Sequence, residues 1–514
     1  MTGRNGSTAG LVPLWVPALL GAMLIAAPAG RPLAAPQGRV VIAQGVDATA
    51  LDPNWHVETP TGNVCRQFYE TLFDRDRELK IIPRLGLSWE RRGDTVWRIK
   101  LRQGVTFHNG EPFDARSVKF SLEKIKDPEY KSRQAPFFGW LDHVEIVDAH
   151  TVDIVTAKPY PIAIEVLAWL GNMLPPKLAA EKGIDWFKTN AAGTGPYTFV
   201  RWAKGEEVVG EANPRYWGGA PSIQTVVFRP IPENTTRVAA LQTGDVDLIV
   251  NVPPHMIKIV EADPALRVGK VPSARFITIF LDSRYNDSPL KDRRVRQAIN
   301  HAVNVDGLIA SVMEGQGARI AGLLTPLHFG YDAAVAPRKT DRKLAKELLA
   351  EAGYPNGFEI AFDAPDGRYI NDKQVAEAVA GELAKVGIQV RLNVQEWGNY
   401  IGKIVTHKAS PMWLIGWGNA MFDADNTYTP LVHSSALLSY TNDAETDRLI
   451  DSARATFDAA RRKALYQQLA QRLHDEANFL YLYEQIDLYG IANRLVWSPR
   501  ADEQLQAADM ALKK

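Results

Sequence analysis

The residues of this chain that could perform chemistry form no complete catalytic or metal-binding pattern. Asp423 and Asp425 stand at the spacing that begins a calcium loop, and Thr427 follows at the next alternate position. That loop needs a glycine at its sixth position and a glutamate at its twelfth, where Tyr428 and Ser434 stand instead. The sequence also has no His-Glu-x-x-His, Gly-x-Ser-x-Gly or phosphate-loop motif. We therefore expect no bound metal, no cofactor and no enzymatic activity.

Two other potentially reactive side chains are better explained by structural roles. His108 stands beside the Asn109-Gly110 turn, where a structural contact is favoured over catalysis. Cys65 is the only cysteine, so the chain cannot form an intramolecular disulfide. It falls in a predicted helix, where it is expected to pack as a small buried hydrophobe.

A second group of residues is suited to holding a ligand, and a strand-helix-strand pattern predicts where they lie. Phe358 to Ala364 and Ile388 to Val394 have the character of strands, and Gln374 to Lys385 that of a helix. Ligands in open α/β sheets bind at the carboxyl ends of strands. The segments Asp366 to Tyr369 and Trp397 to Asp425 are therefore predicted to line a cleft.

Length and composition indicate a multidomain globular protein. The chain has 514 residues, more than one hydrophobic core usually organises, with 46% hydrophobic and 23% charged residues. Lysine plus arginine equals aspartate plus glutamate at 59 each. Because no basic excess is available to neutralise phosphates, nucleic acid is not expected as a partner.

The first 35 residues are predicted to be a secretory signal. Arg4 precedes an uncharged run from Leu11 to Ala29, and small residues typical of cleavage sites follow. The alternative is an uncleaved anchor helix, which the prolines within the run disfavour. The sequence has no cysteine near the cleavage region, so a lipoprotein anchor is not expected. A freely diffusing periplasmic protein is predicted.

Other local signals predict elements elsewhere in the chain. Asp114, Asp292 and Asp341 are expected to cap the amino ends of three helices. A further helix is predicted from Asn63 to Phe73, and an apolar strand from Phe479 to Tyr483. That last strand would enter a sheet of the amino-terminal lobe, so the chain would cross between two lobes more than once.

Six sequence blocks occur in an order that resembles the extracytoplasmic solute-binding proteins of ABC importers, family 5. The blocks are Tyr69-Glu70-Thr71-Leu72, the run from Leu101 to Phe113, Gly193-Thr194-Gly195-Pro196-Tyr197, Asn213-Pro214-Arg215-Tyr216-Trp217, the run from Leu241 to Asp247, and the run from Val295 to Asn300. Residues 193–197 do not match the dinucleotide fingerprint, because Pro196 intrudes and Thr198 replaces its third glycine. A structural turn is favoured there.

The resemblance implies an α/β, two-lobed periplasmic binding protein fold of type II, with the ligand cleft between the lobes. Lobe one would comprise residues 36–75, 189–272 and 482–514, and an inserted subdomain residues 76–188. Lobe two would comprise residues 273–481. The hinge is expected near Val271 and Tyr481.

Candidate ligand-binding residues follow from the chemistry of a peptide-like solute. Arg368 is the candidate cation, because a planar guanidinium can grip a carboxylate with two hydrogen bonds, although a solvated loop arginine is an equal alternative. The other candidates are Tyr369, Trp397, Tyr400, Trp417 and Asn419. An aromatic residue in such a lobe, Trp413 among them, is more often core than ligand wall. The resemblance also places His56 where the first lobe meets ligand, with a solvated loop position favoured.

One position departs from the pattern of peptide binders in the resembled family. Those proteins place an aspartate three residues after the tryptophan that matches Trp417, and this chain has Ala420 there. A free α-amino group therefore lacks its usual partner unless Asp423 or Asp425 reaches it.

The predicted function is a monomeric periplasmic receptor that captures a peptide-like or other small solute. It would deliver the solute to an inner-membrane ABC permease with cytoplasmic ATPases. The alternative is a secreted hydrolase or protein-docking module that uses the same fold, because fold does not fix function.

Overall fold

The computed structural model describes residues 36–284 and 287–513. The predicted signal segment, residues 1–35, lies outside the described residues. Within the described ranges, none of the helices combines the length and apolar character that crossing a bilayer requires.

Strands occur along the whole described chain. In order they are β1 Arg39–Gln44, β2 Phe73–Arg75, β3 Ile81–Pro83, β4 Gly86–Arg91, β5 Val96–Leu101, β6 Leu141–Asp148, β7 Thr151–Thr156, β8 Tyr197–Ala203, β9 Glu207–Ala212, β10 Thr225–Pro230, β11 Leu248–Ile249, β12 Leu266–Leu281, β13 Gly317–Arg319, β14 Glu359–Pro365, β15 Gln389–Gln395, β16 Met412–Gly418, β17 Phe479–Ala492, β18 Leu495–Val496 and β19 Ala511–Leu512.

Helices alternate with these strands, most densely in the second half of the chain. They are α1 Thr59–Cys65, α2 Ala115–Lys126, α3 Ala163–Leu167, α4 Pro176–Lys182, α5 Asn234–Gln242, α6 Ile257–Glu261, α7 Arg293–Ala302, α8 Val305–Ser311, α9 Arg342–Glu351, α10 Asp372–Ala384, α11 Trp397–Val405, α12 Asp425–Val432, α13 Ala444–Arg454 and α14 Ala459–Glu476.

One large sheet joins the two lobes. Its strand order is β15-β14-β16-β12-β17-β11-β1-β10-β9-β8, and β13 pairs with β17 beside this path. In the first lobe β1 lies parallel to β10 and β11, and in the second β14 lies parallel to β15 and β16. The predicted βαβ unit is confirmed as β14, α10 and β15.

The strands β12 and β17 belong to both lobes. Their antiparallel pairing runs from Leu266 to Pro272 on the side of β11, and from Phe276 to Phe280 on the side of β16. Between these stretches, residues 273–275 break the register. Almost every residue of β17 is buried, as expected of a strand covered on both faces. The predicted two-lobed fold is confirmed, while the exact domain boundaries and the hinge near Val271 and Tyr481 stay predictions.

A smaller antiparallel sheet, β4-β5-β7-β6, packs against α2. In the sequence, these elements fall between the first and second predicted segments of lobe one. It has a hydrophobic core of its own, which includes Ile99, Val118, Leu122 and Ile154. The lobe strands enclose two further cores, one around β1 and β10 and one around β12, β14 and β16.

The three predicted helix caps are confirmed. The carboxylate of Asp114 accepts a hydrogen bond from the Arg116 amide at 2.8 Å, and Asp292 and Asp341 likewise accept from the amides of Arg294 and Leu344. Each satisfies a donor that the first turn of a helix leaves free.

The helix predicted from Asn63 to Phe73 is wrong in its extent, since α1 ends at Cys65 and β2 begins at Phe73. The main-chain carbonyl of Phe68 instead accepts a hydrogen bond from the Gly195 amide at 2.9 Å. A Cβ atom on Gly195 would lie 2.6 Å from the Phe68 carbonyl carbon. This close approach accounts for the glycine and supports a structural role for residues 193–197.

Candidate functional site

A cavity of about 220 Å³ lies between the lobes. Its walls come from the loop before α1, the inserted subdomain, the register break of β12, the loop after β14, helix α11, the end of β16 and the segment around α12. Most of the lining residues are apolar or aromatic. They are Val57, Pro136, Phe137, Trp169, Leu170, Trp397, Ile401, Val405, Ile415, Trp417, Pro430, Ala436, Leu437 and Leu438, and the polar members include Glu58, Thr59, Arg133, Arg275, Arg368, Tyr369 and Asn426.

Arg368 is the cation of this cavity that lacks a partner. The residue is only 8% exposed, and no described residue accepts a hydrogen bond from its guanidinium group. Its guanidinium carbon lies 4.8 Å from the ring centroid of Tyr369 and 5.2 Å from that of Trp397. Burial lowers the pKa of Arg368, and the positive charge of Arg275 lowers it further. The alternative of a solvated loop arginine is wrong.

The loop that carries Arg368 is fixed by Asp372 at the start of α10. One carboxylate oxygen accepts hydrogen bonds from the amides of Arg368 and Tyr369, each at 2.9 Å. The other accepts from the Gly367 amide at 3.1 Å. The conformation of the loop is therefore set by the Asp372 carboxylate through the backbone amides, independently of any contact made by the arginine side chain.

Glycines let the two lobes approach closely at this loop. A Cβ atom on Gly45, directly after β1, would lie 2.5 Å from the carbonyl oxygen of Gly367. Gly367 itself has a positive φ of 77°, which glycine adopts without strain. Asn251 adds a contact from the first lobe, since its side-chain amide donates to the Arg368 carbonyl at 3.3 Å.

Arg275 is a second cavity residue, and sequence reasoning missed it. It lies in the register break of β12, where its guanidinium donates to both carboxylate oxygens of Glu503 at 2.6 Å. It also donates to the Gly416 carbonyl at 2.6 Å and to the Thr59 hydroxyl at 3.1 Å. Burial alone would raise the pKa of Glu503, but the charge and hydrogen bonds of Arg275, together with the charge of Arg368 and the Ser273 hydroxyl, lower it overall. A proline and an arginine inside a long apolar strand were the available signal, since such residues mark irregular pairing.

The acid that faces the cavity, Glu58, is also paired. One of its oxygens accepts a hydrogen bond from Arg133 at 2.7 Å, and the other accepts from the Val57 amide at 3.2 Å. Glu58 is buried, whereas the side chain of Arg133 keeps 30% of its exposure.

The predicted aromatic residues divide between the cavity and the core. Tyr369, Trp397 and Trp417 line the cavity. Tyr400 is buried below it and donates its hydroxyl hydrogen to the Leu414 carbonyl. Trp413 packs in the core with its ring 3.9 Å from that of Phe280.

The two predicted aspartates are held by other arginines. The carboxylate of Asp423 accepts two hydrogen bonds from Arg462, one of them at 2.8 Å, and does not line the cavity. Asp425 lies 3.1 Å from Arg454 and accepts a hydrogen bond from Tyr160 at 2.9 Å. Asp425 lines an adjoining cavity of about 390 Å³. Both carboxylates are thus already paired with cations, and neither lines the cavity that contains Arg368.

The remaining predicted positions lie outside the cavity. Asn419 donates to the Asp423 carbonyl at 2.6 Å and holds the loop after β16, and Ala420 is buried in the same loop. His56 is 5% exposed, so the favoured solvated position is wrong. Burial lowers the pKa of His56 to about 4, which leaves the imidazole neutral at neutral pH.

The contacts of His108 are structural. The Nε2 atom of His108 lies 2.9 Å from the Gly195 carbonyl, a structural contact to the glycine-rich turn. Among the described residues, no group of three or more histidine, cysteine, aspartate or glutamate side chains could hold a metal ion.

Two lobes that share a pair of strands and enclose a cavity with an unpaired buried cation define the class of two-lobed binding proteins. The chain belongs to the bacterial extracellular solute-binding proteins, family 5, whose model matches residues 80–438. The family resemblance inferred from the six sequence blocks is confirmed.

Individual relatives share both sequence and fold. The glutathione-binding protein GsiB of Pectobacterium atrosepticum is 30% identical over 457 residues, which cover 86% of this chain and 88% of the relative. The periplasmic binding protein DppA of Helicobacter pylori, solved with the peptide STSA, is 26% identical with a TM-score of 0.86, covering 93% and 98% of the two chains. AgaA of A. tumefaciens R10, solved with agropinic acid, is 26% identical with a TM-score of 0.85, covering 93% and 99%.

Proposed function

We propose that this protein is the solute receptor of an ABC importer. It captures a small carboxylate-bearing solute in the periplasm and delivers it to an inner-membrane permease with cytoplasmic ATPases. The observation that carries the proposal is Arg368, a buried guanidinium at the cavity wall without a hydrogen-bond acceptor among the described residues. A buried charged group without a hydrogen-bond partner costs about 1–3 kcal/mol or more, and a ligand carboxylate would remove that cost.

The ligands named for the relatives support this chemistry. Glutathione, the peptide STSA and agropinic acid all contain carboxyl groups. The relatives compared above are binding proteins by name, which favours capture over the alternatives of hydrolysis and protein docking. A turnover assay on peptides separates capture from hydrolysis, because a receptor returns its ligand chemically unchanged.

The energetics of capture require that the solute favour the closed arrangement of the lobes. A solute with equal affinity for the open and closed forms would not change the equilibrium between them. A micromolar dissociation constant corresponds to about 8 kcal/mol, which is enough to bias closure and still permits release. Trp417 and Trp397 at the cavity wall provide a fluorescence signal for this event.

The test begins with the solute that co-purifies from the periplasm. Mass spectrometry of the denatured protein identifies it, and calorimetry measures its affinity for the wild type and for Arg368→Ala. We expect the variant to lose at least tenfold in affinity. The matched control is Arg391→Ala, which removes an exposed arginine from β15 in the same lobe. Equal affinity of the wild type and both variants would remove Arg368 from the site.

A further inference from the structure

We infer that the solute is a carboxylate with an apolar body and no free ammonium group, such as an N-acylated amino acid or short N-acylated peptide. This inference rests on the proposed function and narrows its substrate class. It follows from which charges around the cavity are already paired and which are not.

The positive charges leave one unpaired cation. The guanidinium of Arg275 donates hydrogen bonds to Glu503, Gly416 and Thr59. Arg133 donates to Glu58. Arg368 alone of these three cavity arginines lacks an acceptor among the described residues. A ligand with one carboxylate therefore neutralises the site, and its planar group matches the guanidinium fork.

Among the described residues that line this cavity, the one acid, Glu58, is already paired with a cation. Both oxygens of Glu58 are engaged, by Arg133 and by the Val57 amide. Both oxygens of Glu503 are engaged by Arg275. An ammonium group in this cavity would lose its hydration without gaining an anionic partner, and it would share the cavity with the charge of Arg368.

The remaining wall favours an apolar body that carries hydrogen-bond acceptors. Five aromatic side chains, those of Phe137, Trp169, Tyr369, Trp397 and Trp417, line the cavity together with aliphatic residues. The indole N–H of Trp417 already donates to the Asn426 carbonyl at 2.9 Å. The indole N–H of Trp397 is buried and has no acceptor among the described residues. An acyl carbonyl suits such a wall better than an amine does.

Three probes with one apolar body separate the charges. N-acetylphenylalanine carries one negative charge, phenylalanine carries both charges, and N-acetylphenylalaninamide carries none. Calorimetry on the unliganded wild type should show that N-acetylphenylalanine binds at least tenfold more tightly than phenylalanine or N-acetylphenylalaninamide. The pair N-acetyl-Leu-Phe and Leu-Phe repeats the comparison for a longer body, with the same order expected.

The variant Arg133→Met makes the inference sharper. It removes the cation from Glu58 and leaves that carboxylate free to pair with an ammonium group. The ratio of the dissociation constants of phenylalanine and N-acetylphenylalanine should therefore fall at least fivefold. The side chain of Arg133 is partly exposed, which favours correct folding of the variant.

Two results would overturn the inference: equal or tighter binding of the free-amine probes, or no binding of any acetylated acid. An unchanged preference in Arg133→Met would also count against it. The role of Arg368 in the proposed function fails separately, if the co-purified solute binds the wild type and Arg368→Ala with equal affinity. A zwitterionic solute that Arg368→Ala releases would sink the inference and leave the proposed function standing.

Discussion

Replacing Arg368 with methionine should stabilise the protein without ligand and abolish its stabilisation by ligand. The guanidinium is 8% exposed and has no acceptor among the described residues, so the folded chain bears a desolvation cost. Removing an unsatisfied buried charged group recovers about 1–3 kcal/mol. Methionine keeps an apolar stem against the rings of Tyr369 and Trp397, which preserves packing.

The expected change in melting temperature is small but measurable. An unfolding entropy of about 2.1 cal/mol/K per residue, over roughly 480 residues, gives about 1 °C per kcal/mol. The ligand-free variant should therefore melt about 1–3 °C above the ligand-free wild type. A ligand at a hundred times its dissociation constant adds about 2.7 kcal/mol to the wild type, and this gain should vanish in the variant.

Differential scanning fluorimetry with and without N-acetylphenylalanine measures both effects. Arg391→Met serves as the control, because this exposed arginine should shift stability by less than about 0.5 kcal/mol in either direction. A ligand-free Arg368→Met variant that melts below the wild type would refute the reasoning, since it would show that the folded chain already satisfies this charge.

Three further predictions concern charged side chains that other residues neutralise or bury. Arg275→Met should lower the free energy of unfolding in urea by about 1–3 kcal/mol, because it leaves the half-buried Glu503 without its cation. Adding Glu503→Gln should recover most of the loss. Burial, and next the charge of Glu503, raise the pKa of Asp487 above its ordinary value. The folded state therefore holds the Asp487 proton more tightly than the unfolded chain does. The contribution of Asp487 to the free energy of unfolding should decline as pH rises from about 4 through the raised pKa. In the variant Asp487→Asn this decline should be smaller. Asp423→Ala should lower the free energy of unfolding by about 3–5 kcal/mol, because it leaves Arg462 buried without its carboxylate partner. Ligand affinity should be unchanged, because this ion pair does not line the cavity. A large loss of affinity without a loss of stability would contradict the position of Asp423 outside the cavity.

Local sequence patterns predicted the parts of the fold that local physics determines. The helix caps at Asp114, Asp292 and Asp341 were predictable because a carboxylate serves the first turn that follows it. The unit of β14, α10 and β15 was predictable from the change of apolar period, and its position placed Arg368 and Trp417 correctly at the cleft.

Sequence patterns failed where the partner of a group lies far along the chain. Helix α1 stops early because Gly195 and Tyr197 bond the carbonyls of Phe68 and Gln67. Asp423 resembled a candidate ligand group until Arg462, 39 residues away, proved to be its partner. Spacing in sequence carries no information about such pairs, so it could not separate a free charge from a neutralised one.

The contact between Gly45 and Gly367 sets a steric condition on the closed receptor. The lobes meet there backbone to backbone, and a single methyl group on residue 45 would need space that the Gly367 carbonyl occupies. The closest approach of the two lobes at this point is thus limited by two peptide units with no side chain between them. Alanine at position 45 would act as a spacer, biasing the receptor toward its open form without altering any group that lines the cavity.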